Sequence, residues 1–229
     1  MPLKIEDKAI ADVYLGDKKI SKIYKGNTLV YQKSNNYFIA ISNRTSFNYV
    51  KNGNITVTVP CVIGEPTKID VDIKYTTMRN MFYSDYGITY LDLSHLDTSN
   101  ITDMNSMFFG STKLTEIDVS TFDTSKVTNM ERMFCDTRVS SLDLSNFDTS
   151  NVINMVSMFS NSHNIKFLDL SNFEINNNLS GIYMFSGCLN LIRIRCKKAF
   201  KDWCIDNRDR IILPDALREG GSGTWEIID

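Results

Sequence analysis

LDLSHLDTSNITDMNSMF, residues 91–108, decides how the chain is read, because it returns. IDVSTFDTSKVTNMERMF begins at Ile117, LDLSNFDTSNVINMVSMF at Leu142 and LDLSNFEINNNLSGIYMF at Leu168, so the steps are 26, 25 and 26 residues. The Met-Phe pairs keep the same beat: Met81-Phe82, Met107-Phe108, Met133-Phe134, Met158-Phe159 and Met184-Phe185. Met78-Arg79-Asn80 carries the pattern one unit backward, and Ile194-Arg195-Cys196 falls where the next L-x-L belongs. Self-similarity at a period of about 20–50 residues marks a repeat architecture.

Each unit holds two periodicities. L-x-L alternates, so Leu91 and Leu93 point one way and Asp92 the other, which predicts a short strand. Ile101, Met104, Met107 and Phe108 then recur at i, i+3, i+6 and i+7, which predicts a helix of roughly two turns. Asp97-Thr98-Ser99, echoed at Asp123 and Asp148, precedes that segment as residues that cap free N–H groups. A unit this small cannot bury its own Leu, Phe and Met side chains, whereas stacked units can. The expectation is a solenoid with parallel strands about 4.8 Å apart.

LDLSNFDTSNVxNMxxMF, with a preceding Leu114-x-x-Ile117-x-Val119 or Ile165-x-x-Leu168-x-Leu170, resembles a leucine-rich repeat, and more narrowly the BspA-like repeat of bacterial surface proteins. The resemblance spans residues 78–196 and implies an α/β leucine-rich-repeat solenoid, flanked by small all-β modules and a C-terminal cap. One departure is visible. Leu96, Phe122, Phe147 and Phe173 hold the position usually given to Asn or Cys, so a stacked aromatic spine replaces the usual asparagine ladder. The last copy decays to Glu174-Ile175-Asn176 and Gly181, as terminal repeats do where an array is capped.

The flanks read as β structure. Val13-Tyr14-Leu15-Gly16-Asp17 is echoed by Ile23-Tyr24-Lys25-Gly26-Asn27, a turn-and-strand pattern that predicts a small meander over residues 1–35. KKISKIYKGNTLVYQK, within it, is similar to segments near the start of virion proteins of phages of Gram-positive bacteria. Residues 36–77 alternate around 38–41, 55–59 and 69–73, as a β module or N-terminal cap. Residues 197–229 predict a short helix, a loop and a closing strand at Thr224–Ile228, with Trp203 and Trp225 covering the last repeat. Gly220-Gly221-Ser222-Gly223 reads as a turn, since no Lys-Ser/Thr follows to make a phosphate loop.

The 229 residues carry 25 basic and 27 acidic groups, 42% hydrophobic and 23% charged, which is globular composition. A net charge of −2 gives no global case for nucleic acid. Residues 1–87 hold 12 basic and 8 acidic groups, and residues 88–193 hold 6 and 12, so a basic head precedes an acidic middle. Five cysteines without C-x-x-C spacing point to core thiols in a reducing compartment, although Cys188 and Cys196 could meet. His95 and His163 occupy different repeat positions and belong to no catalytic or metal pattern. No cofactor is expected and no enzyme. No signal peptide and no membrane span is expected either.

Two sets of residues are candidates for contact. Asp92, Asp118, Asp143 and Asp169 take the outward position of successive strands. Stacked about 4.8 Å apart they repel by roughly 1 kcal/mol per pair in water. Hydrogen bonds from the serines at 94, 120, 145 and 171 would offset this, or the face would bind a cation or a basic partner. Lys18, Lys19, Lys22 and Lys25 cluster in the meander as a solvated face or as a docking patch for an acidic surface. The resemblances together imply a phage virion structural or adhesion protein, assembled in the host cytoplasm and lacking a secretion signal for that reason. Its partners would be other virion subunits or a bacterial cell-surface component. A bacterial surface adhesin is the alternative. A homo-oligomer, such as a trimer, stays open, with no heptad pattern.

Overall fold

The computed structural model describes residues 13–15, 18–20, 22–25, 28–32, 37–42, 44, 46–51, 53, 55–70 and 76–228. The chain divides into two compact units, Met1–Asn35 and Asn36–Asp229. In the first, β1 (Val13–Leu15) pairs antiparallel with β2 (Lys18–Ile20), and β3 (Lys22–Lys25) with β4 (Thr28–Gln32).

The second unit begins with β5 (Tyr37–Ser42), β6 (Ser46–Lys51), β7 (Ile55–Pro60) and β8 (Pro66–Asp70). β6 and β7 form an antiparallel hairpin. The first L-x-L strand, β9 (Ile88–Asp92), runs parallel to β10 (Glu116–Asp118) and antiparallel to β5, giving a mixed sheet in the order β10-β9-β5-β8. Ala40, Tyr49 and Ile69 close the core at this end, and Val50 donates its N–H to the Met81 carbonyl (2.6 Å). At the other end β11 (Phe167–Leu170), β12 (Arg193–Lys197) and β13 (Thr224–Ile228) form an all-parallel sheet. Between the two sheets, residues 139–144 form no strand. Leu142 follows Phe134 by eight positions, whereas Ile117 follows Phe108 by nine and Leu168 follows Phe159 by nine. The third copy therefore reaches its L-x-L one residue early and misses the ladder, which splits the expected run of parallel strands into two sheets.

The repeats contain no helix, and this overturns the expected α/β leucine-rich-repeat solenoid. Among the described residues only α1 (Lys198–Asp206) and α2 (Arg208–Ile211) are α-helical, both beyond the repeats; the rest is small antiparallel, parallel and mixed sheets, turns and one short 3-10 turn at Asp215–Leu217. The reason lies in the backbone. An α-helix sends every N–H back four residues. Here the N–H groups of Met104, Ser106, Phe108 and Gly110 go instead to the carbonyls of Asn129, Glu131, Met133 and Cys135 in the next copy (2.7–3.0 Å). Met107, Phe109 and Ser111 close onto the residue three before (3.2 Å). The segment is a string of tight turns held by its neighbour. Each copy places two residues in the left-handed region, four apart: Asn80 and Ser84, Ser106 and Gly110, Arg132 and Asp136, Ser157 and Asn161, Tyr183 and Gly187. A left-handed residue cannot continue a right-handed helix, and a three-residue recurrence of apolar side chains suits turns as well as helices.

The Asp-Thr-Ser triplets accordingly cap no helix. Asp97, Asp123 and Asp148 each accept the N–H of the serine two residues on (2.9–3.0 Å), closing a side-chain turn. The buried threonine between them ties copies together. Thr98 Oγ1 donates to the Asp123 carbonyl (3.0 Å) and accepts the Asp123 N–H (2.7 Å). Thr124 does the same to Asp148, and Thr149 to Glu174.

Apolar columns run beside this threonine ladder. Phe82, Phe108, Phe134, Phe159 and Phe185 stack face to face, with centroids 5.4–5.9 Å apart and rings within 15° of parallel. Phe122 stacks on Phe147 at 6.4 Å, at the position where an aromatic spine was expected, while Phe173 meets Phe200 of α1 edge-on. The C-terminal elements continue both the backbone and the packing. Tyr183 donates its N–H to the Arg210 carbonyl (2.7 Å), so the end of α2 receives a bond that earlier copies give to the next repeat. Gly181 replaces the methionine found at 104, 130 and 155, and a Cβ there would run into the Trp203 ring, which fills the vacated space from α1.

Candidate functional site

Burial of alternate residues in β9–β12 leaves one polar face outward, and this face is the candidate contact surface. Leu91, Leu93, Leu168, Leu170, Ile194 and Cys196 are fully buried. Their neighbours fall in two rows set by the parallel register. In one, Asp92 pairs with Asp118, and Asp169 with Arg195 and Glu226. In the other, Tyr90 pairs with Glu116, and Phe167 with Arg193 and Thr224.

The four predicted aspartates thus have different neighbours. Asp92 and Asp118 are brought side by side on adjacent strands. Asp143 lies in the stretch that forms no strand. Asp169 Oδ2 faces Arg195 Nη1 at 3.4 Å, and Arg195 Nε reaches Glu226 Oε1 at 3.3 Å. All four share one local arrangement, in which Oδ1 accepts the N–H of the serine two residues on, at 3.0 Å. At Asp92 and Asp118 the serine hydroxyl adds a second bond of 2.6 Å. The hydroxyl and N–H of Ser145 hold the Asp143 carboxyl below its ordinary range. Tyr90 reports on the field of this face: burial, then Asp92, Asp118 and Glu116, push its phenol upward.

The face passes from acidic to charge-paired along the array. Asp92, Glu116 and Asp118 make its first part acidic beside Tyr90, and in its last part Arg193, Arg195 and Lys197 stand against Asp169, Glu226 and Glu174. Arg193 lies over the Phe167 ring, 4.4 Å from its centroid, and Lys197 pairs with Glu174. Tyr90, Glu116, Phe167, Arg193 and Glu226 vary from copy to copy, so the repeat consensus did not single them out. The signal was their place two residues before, or in register with, the repeated aspartate.

Lys18 and Lys19 belong to β2, and Lys22 and Lys25 to β3, but the side chains of this docking set lie outside those described. His95 and His163 are exposed, and His95 Nδ1 is 3.0 Å from Ser94 Oγ. The five cysteines are free thiols, and Cys188 and Cys196 are not joined. Burial pushes the thiols of Cys135 and Cys188 up to about 12 and that of Cys196 to about 11. Cys188 Sγ donates to the Phe159 carbonyl (2.8 Å), where Ser111 and Ser162 use hydroxyls on Phe82 and Phe134. Among the described residues no group of three or more His, Cys, Asp and Glu is placed to hold a metal ion. No helix of theirs is long and apolar enough to cross a membrane.

A family model described as "Mycoplasma protein of unknown function, DUF285" matches residues 76–195, which are the repeats with their first backward extension. No curated protein and no solved structure matches the chain.

Proposed function

We propose, on the premise that this chain belongs to the DUF285 family, that it is a non-enzymatic adhesion protein. In this reading the repeats are of the BspA-like kind, and their outward strand face binds a protein or another cell-surface component. The observation that carries it is the fixed pattern of that face. In-register strands set an acidic part (Asp92, Asp118, Glu116) on the first sheet, and on the second a charge-paired part in which Arg193, Arg195 and Lys197 stand against Asp169, Glu226 and Glu174. Charges held in place by a ladder lose little freedom on contact, and complementary charge raises association rate and selects the partner. The acidic part calls for a ligand that brings basic groups to it.

We place this activity on a phage virion, with residues 1–35 docking to the particle through Lys18, Lys19, Lys22 and Lys25. The likeness of KKISKIYKGNTLVYQK to virion proteins supports that choice. The family's description, as a Mycoplasma protein, favours the second reading, a bacterial surface adhesin. Mass spectrometry of purified particles beside surface shaving of intact cells tests the two. The virion reading expects the chain in particles at stoichiometric amounts, and its absence there with peptides released from cells overturns it. The adhesion reading expects whole-cell binding to fall when Asp92 and Asp118 are both changed to Asn. Unchanged binding by the folded double variant overturns the role of this face.

A further inference from the structure

The C-terminal cap contains a cleft of about 760 Å³ between α1, α2, the 3-10 turn and β13, away from the strand face of the repeats. Its volume is within the range of sites that enclose small ligands. Ile205, Ile212, Leu213, Leu217 and Trp225 give it apolar walls. Trp225 is held in place because Nε1–H donates to the Leu217 carbonyl at 3.1 Å. Ile212 sits in the left-handed region, with φ 56° and ψ 72°. That conformation costs a β-branched residue roughly 1–3 kcal/mol and persists where the surroundings require it.

The charges around these walls are balanced. Arg218 is engaged already, through Nη1 to Asp215 Oδ1 (3.0 Å) and Nε to the Leu213 carbonyl (2.9 Å). That leaves Lys201 and Arg208, the latter also donating from Nη1 to the Ile205 carbonyl (3.4 Å), against Asp209 and Glu219, two of each sign, none in an ion pair among the described residues. A small anion or cation gains nothing net from such a rim. A neutral ligand with many hydroxyls gains from all of it, since ammonium and guanidinium groups donate and carboxylates accept. The apolar C–H face of a sugar ring suits walls of Trp, Leu and Ile.

We infer that this cleft is a saccharide-binding site, taking a short neutral oligosaccharide against Trp225 with Lys201, Asp209 and Glu219 bonding its hydroxyls. The site does not depend on whether the chain is carried by a virion or a cell. Only two tryptophans are present, Trp203 and Trp225, so the second reports on the cleft and the first, packed on Gly181, serves as internal control. The full chain, labelled with ¹⁵N, is titrated with maltotriose, cellotriose and chitotriose, each up to about 10 mM, a range that reveals even millimolar affinity. The Trp225 indole signal should move saturably with at least one of them while that of Trp203 stays. Lys201→Ala combined with Glu219→Gln should weaken that binding at least about tenfold, the loss expected for charge-assisted hydrogen bonds. Both substitutions lie on the cleft rim, so the fold should survive, as the Trp203 signal checks. No movement with any of the three sugars, equal movement of both indoles, or an unchanged affinity in the double variant each overturns the site. So does movement with sodium decanoate alone, which would make the cleft a fatty-acid site.

Discussion

Replacing Thr124 by valine removes one oxygen and nothing else of consequence to shape. Thr124 is 1% exposed, and its Oγ1 makes two bonds to the next copy, donating to the Asp148 carbonyl (2.9 Å) and accepting the Asp148 N–H (2.8 Å). Valine leaves both backbone groups without a partner. Each costs about 0.5–1.5 kcal/mol if water reaches it and about 1–3 kcal/mol if none does, so the pair should cost about 3 kcal/mol. For a protein of this size that lowers Tm by roughly 6–12 °C. Thr124→Ser keeps the oxygen and should lose only the methyl, about 0.8 kcal/mol. Thr121, three residues earlier, is exposed and donates to the Ser94 carbonyl, so Thr121→Val should cost less than about 1 kcal/mol. Calorimetry and urea unfolding of the three variants would read these differences. If Thr124→Val lies within about 0.5 kcal/mol of the parent, or matches Thr121→Val, the threonine ladder is not what ties the copies together.

Phe134 is at the middle of the five-ring stack and is fully buried, so Phe134→Ala should cost about 3–5 kcal/mol, read as a shift in the urea midpoint. Cys135, Cys188, Cys196 and Cys204 are buried with raised thiols, whereas Cys61, just after β7, is half-buried. Ellman's reagent at neutral pH should therefore titrate one thiol in the folded protein, none in Cys61→Ser, and five after denaturation of the parent. Serine hydroxyls and N–H groups hold Asp97, Asp123 and Asp143 below the ordinary carboxylate range. A depressed folded-state carboxyl contributes stability that is complete above the unfolded value of about 4 and drains as the pH falls further. Tm measured downward from neutral pH should drop below that point, and the drop should be shallower when Ser99, Ser125 and Ser145 are all alanine; an unchanged slope would remove the serine bonds as its cause.

Repetition was legible because each copy repeats its buried side chains. Leu91, Met107 and Phe108 mark columns that no other reading of the chain accounts for. The turns were not legible as turns. An apolar residue every third position serves a helix and a string of turns alike, and of the left-handed positions that decide between them only Gly110 and Gly187 are glycines, the first position of each copy holding Asn80, Ser106, Arg132, Ser157 or Tyr183. The single missing residue before Leu142 was visible as a step of 25, but its effect depends on a register that only the pairing of β9 with β10 and β11 with β12 reveals. On the strand face, Asp92 and Asp118 meet as their spacing suggests. Arg195 against Asp169 followed from the same beat, since Ile194-Arg195-Cys196 falls where the next L-x-L belongs, but only the repeated aspartates were read as the face. The Thr98, Thr124 and Thr149 ladder was written in every Asp-Thr-Ser, yet the middle residue was read only as part of a cap.

Because Met104, Ser106, Phe108 and Gly110 hand their N–H groups to the following copy, and Met130, Arg132, Phe134 and Asp136 do the same one step later, the turn segments of successive copies meet through the same bonds. A gene that duplicates or loses one whole unit hands each end an identical docking partner. The protein can therefore change length in steps of 25 or 26 codons without redesigning either terminus, and genomes carrying it should show chains that differ by complete units far more often than by fractions of one.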